Sequence, residues 1–199
     1  MRFLDNVLSD FINKAPEQFK DAKYSAERER SVGLGVMGFH SFLQKKRIPL
    51  ESVMAKSWNK KIFKNIHEKV NQASKDLAEE RGACPDAAEY GFKERFSNKT
   101  AIAPTASISI ICGGASPGVE PIAANSYTHK TLSGSFNVRN RYLEEILESH
   151  GKNDDETWST ITTNQGSVSH LDFLTDLEKD VFKTAFELNQ KWIIELSGD

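Results

Sequence analysis

Between Thr100 and Tyr127 the sequence gathers the residue types that hold an anion. The stretch T-A-I-A-P-T-A-S-I-S-I-I-C-G-G-A-S-P-G-V-E-P-I-A-A-N-S-Y starts apolar and β-branched. It breaks at Pro104 into the hydroxyl residues Thr105, Ser107 and Ser109. It ends in a loop through Gly113, Gly114, Pro117, Gly118 and Pro121. The apolar start predicts a buried strand. A strand opening into Pro-Thr-Ala-Ser can set backbone N–H groups and hydroxyls around one point, and a helix starting there adds the positive end of its dipole. The chemistry predicted is anion binding, a phosphate first. Hydroxyl clusters also build ordinary turns, and spacing alone leaves that reading open for Thr105 to Ser109.

Other chemistry-bearing residues give less. The cysteines are Cys84 and Cys112, at no metal-ligand spacing. Cys112 follows an apolar run with no basic group beside it to lower its pKa, so a small buried thiol is expected there and not a nucleophile. Cys84, before Pro85, takes no role. Glu120 is a lone carboxylate for which loop hydrogen bonding and a site role weigh evenly. The histidines, His40, His67, His129, His150 and His170, form no metal-binding pair. Gly33, Gly35 and Gly38 spell G-x-G-x-x-G. They lie inside an apparent strand instead of after it, and a long helix with no second strand follows, so the dinucleotide reading is rejected. A glycine-thinned strand that lets a neighbour approach closely is expected instead.

The elements that must position the central stretch read mostly as helices. Phe3, Leu4, Val7, Leu8, Phe11 and Ile12 recur at helical spacing, already in pattern at Met1. Pro16 marks a stop or a new first turn. Ser31 to Gly38 reads as a short buried strand, continued by a helix through Phe39, Phe42 and Leu43. Residues 52 to 81 predict the longest helix, with Phe63, Ile66, Val70, Ala73 and Leu77 on one face, Ser52 as N-cap and Gly82 just past the end. Lys60, Lys61, Lys64 and His67 belong to its solvated side. Ala83 to Asn98 reads as a linker of short turns. Tyr127 to Val138 is polar, with a turn at Ser133-Gly134-Ser135. Helices are expected over 140 to 150, 154 to 165 and, unbroken, 172 to 196. Two strands make no stable sheet, so the chain is either mostly α or pairs its strands with strands it does not contain.

Composition narrows the class. The chain has 199 residues, 38% of them apolar and 27% charged, with 26 basic against 28 acidic residues. There is no basic excess of the kind a nucleic-acid-binding domain carries. No signal core and no membrane-length apolar run occur. Together with the sparse cysteines, this predicts a cytoplasmic protein with neither nucleic acid nor membrane as partner.

Beyond spacing, the segments A-I-A-P-T-A-S-I-S-I-I-C-G-G-A-S-P-G-V-E-P and Y-T-H-K-T-L-S-G-S-F resemble the large (α) subunit of class I ribonucleotide reductase. So do R-F-L-D-N-V-L, R-S-V-G-L-G-V-M-G-F-H-S-F-L-Q and the final D-V-F-K-T-A-F-E-L-N-Q-K-W-I-I-E-L. The resemblance runs through nearly the whole chain in one order. It implies an α/β fold: residues 1–199 as one partial domain, a segment of the second half of the family's ten-stranded α/β barrel, helix-rich and with few strands of its own. It implies that Pro104, Thr105, Ala106, Ser107 and Ile108 bind the diphosphate of a ribonucleoside diphosphate, with Ser109 a lesser contributor. Some relatives carry Pro-Ser-Glu-Thr-Ser in this loop. Ala106 and Ile108 depart from that version, which throws weight onto backbone donors.

No Asn-x-Cys-x-Glu motif for the radical cysteine occurs, nor the redox cysteine pair, the radical-transfer tyrosine pair, the ATP-cone or the main specificity-site segments. No catalytic residue, metal ligand or cofactor site is therefore expected in the chain. Radical supply is expected from a metal-containing small subunit, electrons from thioredoxin or glutaredoxin, and the rest of the barrel from remaining segments of the large subunit. The expectation is a piece of a larger subunit, from a split gene or a truncated sequence, inactive in nucleotide reduction alone. The alternatives are a non-catalytic nucleoside-diphosphate-binding module and a helical interaction protein without ligand.

Overall fold

The computed structural model describes residues 1–131 and 134–199, so Ser133 of the expected turn lies outside the described residues. The elements are α1 (Arg2–Lys14), a 3₁₀ turn (Glu17–Phe19), α2 (Lys20–Glu29), α3 (Phe39–Lys45), α4 (Val53–Arg81), α5 (Pro85–Glu89), α6 (Ala106–Ile111), β1 (Ser126–Thr131), β2 (Gly134–Arg139), α7 (Arg141–Ser149), α8 (Asp155–Thr163), α9 (Asp176–Val181) and α10 (Gln190–Gly198). Two compact units divide the chain, Met1–Gly35 with Lys61–Ala103 and Val36–Lys60 with Pro104–Asp199.

The long helix forms where the period places it. The Ser52 hydroxyl accepts the Ala55 N–H at 3.1 Å and caps its start. Gly82, at φ 89°, ends it in the left-handed conformation that costs a side chain energy. α2 carries no strong apolar period and was not expected. The helix expected over 172 to 196 breaks in two. The Glu187 carboxylate takes the N–H and hydroxyl of Thr184 at 2.8 and 2.9 Å, which closes a local turn, and Asn189 then caps α10 by accepting the Lys191 N–H. Side chains that bond their own backbone compete with the helix, and here they win.

Neither expected strand becomes one. Leu34 pairs with Thr100 in an isolated parallel bridge, through N–H groups of Leu34 and Ala101 at 3.0 and 3.2 Å. Ala101 and Ile102 lie exposed, so the predicted burial fails there. The close approach expected of the glycines is present: a Cβ on Gly33 would stand 2.8 Å from the Ala101 Cβ, and one on Gly35 would stand 2.9 Å from the Ala101 carbonyl oxygen. The regular sheet is instead an antiparallel hairpin, with Ser126 paired to Arg139 and Tyr127 to Val138. Tyr127 and His129 pair with Val138 and Phe136 on one of its faces, a short alternation set among polar residues.

In the first unit α1 turns a charged residue inward. Asp5 is fully buried, while Phe3 and Val7 of the predicted apolar face are 75% and 53% exposed. The carboxylate is met by Arg30 Nη2 at 2.6 Å, Arg81 Nη1 at 2.7 Å and Arg95 Nε at 2.9 Å. Arg95 Nη1 also donates to the Arg81 and Gly82 carbonyls at 3.1 and 3.0 Å, satisfying the last turn of α4. Burial pushes the Asp5 carboxyl up. Hydrogen bonds from Arg95, Arg30 and Arg81 outweigh that and hold it below the usual carboxylate range. In the second unit Leu143, Ile146 and Leu147 of α7 pack with Trp158 and Ile161 of α8 and with Val168, Leu171, Val181 and Phe182. The loop between α6 and β1 is tied beside that core by Asn125, whose side chain donates to the Gly166 and Phe182 carbonyls at 2.9 and 2.7 Å.

Candidate functional site

Thr105 opens α6 at φ 51° and ψ 30°. A β-branched residue there is strained and persists only if its surroundings hold it. What holds it is the Gly118 N–H, which donates to Thr105 Oγ1 at 2.7 Å. The hydroxyl is thereby engaged away from the helix and makes no cap bond to α6. Ser109 N–H bonds back to the Thr105 carbonyl at 2.9 Å. The geometry of a helix start leaves the N–H groups of Ala106, Ser107 and Ile108 without an intrahelical acceptor.

All five predicted site residues therefore lie on one turn. Pro104, Ala106, Ser107 and Ile108 are exposed and Thr105 is half-buried. Ser109 departs from expectation: it is 3% exposed and its hydroxyl donates to the Ala106 carbonyl at 3.0 Å, so it braces the turn from inside. The cysteines are reversed as well. Cys112, expected buried, is exposed at the end of α6, and Cys84 is the fully buried thiol. The apolar run that suggested burial at Cys112 is itself outside, with Ile111 82% exposed. Glu120 is exposed, and its N–H donates to the Pro117 carbonyl at 2.9 Å.

The far arm of the loop is tied to the start of α3. Gly38 N–H donates to the Ser116 carbonyl at 2.8 Å. Ser41 and Ser116 exchange bonds: each hydroxyl accepts the other's N–H, at 2.8 and 3.2 Å. Ile122 N–H donates to His40 Nδ1 at 3.1 Å. His40 is 1% exposed, and burial pushes its pKa down to about 4. Neutral, with Nδ1 accepting, it carries its proton on Nε2. Arg141, next to the cap of α7, donates to the Gly113 carbonyl. None of these supports was foreseen; Ser41, Ser116 and His40 carry no local pattern that announces a bond across 75 or more residues.

Chemically, the turn offers donors and no acceptor-base pair. Among the described residues no group of three or more His, Cys, Asp and Glu is placed to hold a metal ion. A hollow whose lining includes Arg47, Glu178, Leu177 and Phe182 shares no residue with the turn. Among the described residues no helix is long and apolar enough to cross a membrane.

Comparison with known proteins gives this geometry a family. The sequence matches "Ribonucleotide reductase, barrel domain" over residues 1–94 and 85–199. It is 48% identical to the ribonucleoside-diphosphate reductase large subunit of Invertebrate iridescent virus 6, over 100% of this chain and 21% of that protein. It is 35% identical to the vitamin B12-dependent ribonucleoside-diphosphate reductase of Thermoplasma acidophilum, over 96% of this chain and 25% of that protein. Among solved structures, the Actinobacillus ureae class Id ribonucleotide reductase alpha subunit superposes with a TM-score of 0.89 at 40% identity, covering 98% of this chain and 36% of that one. The chain thus spans roughly a fifth to a third of the length of such relatives. The fold is accordingly a helix-rich segment of an α/β barrel, and the chain belongs to the ribonucleotide reductase barrel-domain family.

Proposed function

We propose that the turn Pro104-Thr105-Ala106-Ser107-Ile108 holds the diphosphate of a ribonucleoside diphosphate, and that residues 1–199 serve as one second-half-barrel segment of a ribonucleoside-diphosphate reductase large subunit. One observation carries this reading. In a member of that family, a strained Thr105 opens α6 with no side-chain cap, and the three residues whose N–H groups lack an intrahelical acceptor, Ala106, Ser107 and Ile108, are all exposed. Charge on the diphosphate would be met by backbone dipoles rather than by basic side chains.

In the complete enzyme the reaction is radical-based replacement of the substrate 2′-hydroxyl by hydrogen. This chain would bind and orient the substrate's diphosphate end. The remaining large-subunit segments would supply the radical and redox cysteines. A metal-containing small subunit would supply the radical, and thioredoxin or glutaredoxin the electrons. No residue of this chain is assigned to a cofactor. Alone, the chain is expected to bind without reducing.

The test is titration of cytidine diphosphate into the 199-residue chain, with cytidine as control, beside a turnover assay. Saturable binding of the diphosphate, none of the nucleoside and no deoxynucleotide are expected. Equal binding of both would remove the diphosphate assignment, and deoxynucleotide from the chain alone would remove the segment reading. Binding by the isolated chain that persists with no gain of turnover on adding the remaining segments would favour the non-catalytic module.

A further inference from the structure

The loop's second support is a candidate for more than packing. The bonds from Gly38, His40 and Ser41 converge on residues 116 and 122, which flank Gly118 on both sides. Gly118 is the donor that holds Thr105 in its left-handed conformation. Thr105 in turn sets the direction of the first N–H groups of α6. A line of hydrogen bonds thus runs from the first turn of α3, through both sides of Gly118, to the predicted anion-binding turn. An apolar side chain would fill the volume of His40 equally well. What the imidazole adds is a directional acceptor for the Ile122 N–H, held in place by a side chain only 1% exposed. Ser116, fully buried, uses its N–H, its carbonyl and its hydroxyl on α3 and the residue before it.

We infer that His40 and Ser41 are positioning residues for the diphosphate-binding turn: they fix the 116–122 arm and, through Gly118, the conformation of Thr105. The inference rests on the diphosphate reading for its functional consequence but not for its geometry.

Residue-resolved hydrogen exchange and pyrophosphate titration test it on the whole 199-residue chain. The variants are His40→Leu, which removes the acceptor, His40→Asn, whose side-chain oxygen keeps an acceptor near the Nδ1 position, and Ser41→Ala. In His40→Leu, exchange at Gly118 and Ile122 should rise about tenfold and the pyrophosphate Kd should rise by a similar factor, the loss of one average hydrogen bond. Amides of α7 and α8 should keep their protection, and His40→Asn should recover most of both effects. Unchanged exchange at Gly118, or an Asn variant no better than Leu, would overturn the inference. If His40→Leu loses protection across α7 and α8, its fold has gone and Ser41→Ala decides: faster exchange at Ser116 and Gly118 supports the inference, and unchanged exchange overturns it. If the unaltered chain binds no pyrophosphate, the diphosphate reading falls, while the exchange pattern still judges the coupling.

Discussion

The chain solves two polar problems in opposite ways. Around Asp5 it buries one carboxylate under three guanidinium groups and leaves none of that carboxylate to water. Around Thr105 it leaves the first residues of α6 exposed and uncapped and spends side-chain bonds on holding the turn instead. The first arrangement is closed, since the buried carboxylate takes all its charged donors from within the protein. The second is left open, with no intrahelical acceptor for its first N–H groups. On the proposed reading the closed network contributes stability and the open turn contributes binding, so perturbing each should move only its own quantity.

The largest expected effect is at the closed network. Asp5→Ala leaves Arg30 and Arg95, each less than a tenth exposed, as buried cations without their anion. Breaking a buried pair this way costs about 3–5 kcal/mol. Urea unfolding should show that loss, and a cost under about 1 kcal/mol would mean that the three arginines are served by water.

Acid offers a second, somewhat smaller perturbation, aimed at the support of the open turn. His40 has its pKa pushed down to about 4 in the fold by burial, against an ordinary value near 6.5. Below pH 6.5 the unfolded chain takes up a proton that the folded one refuses. The contribution of His40 is therefore complete above about pH 6.5 and drains away as pH falls towards about 4, on the order of 3 kcal/mol in all. Stability measured across that range should lose this slope in His40→Asn. Asp5, with its pKa lowered, acts further down: its contribution stays intact until pH falls through the ordinary carboxylate range and is lost as the folded carboxyl titrates.

At the turn itself the effect on stability should be smallest and the effect on binding clear. Ser107→Glu places a negative charge beside the N–H groups of α6. Stability should stay within about 0.5 kcal/mol, as for exposed sites generally, while diphosphate affinity should fall by about tenfold or more through like-charge repulsion. A stability loss matching that of Asp5→Ala would erase the distinction between the two regions.

The open region is marked in the sequence and the closed one is not, for a physical reason. The turn is written in consecutive residues: Pro104 stops an extended run, hydroxyls follow, and glycines close the loop. The long helix is likewise local, in its period and in Ser52 and Gly82 at its ends. The Asp5 network joins residues 25, 76 and 90 positions apart, and nothing local distinguishes a buried arginine from a solvated one. Asp5 lies outside the expected apolar stripe, of which Ile12 is buried while Phe3 and Val7 are exposed. The hairpin of β1 and β2 carries only a short alternation, at Phe136 and Val138, and the turn at Thr184 that splits the last helix depends on a side-chain pairing that periodicity does not record. Cys112 misled because apolar neighbours announce burial only when something covers them.

The most direct measurement is the backbone amide spectrum of the 199-residue chain during titration with inorganic pyrophosphate. Saturable shifts centred on Ala106, Ser107 and Ile108 are expected, with a smaller response at Gly118 and none around Asp5. Shifts centred elsewhere, or none up to millimolar pyrophosphate, would contradict the diphosphate assignment.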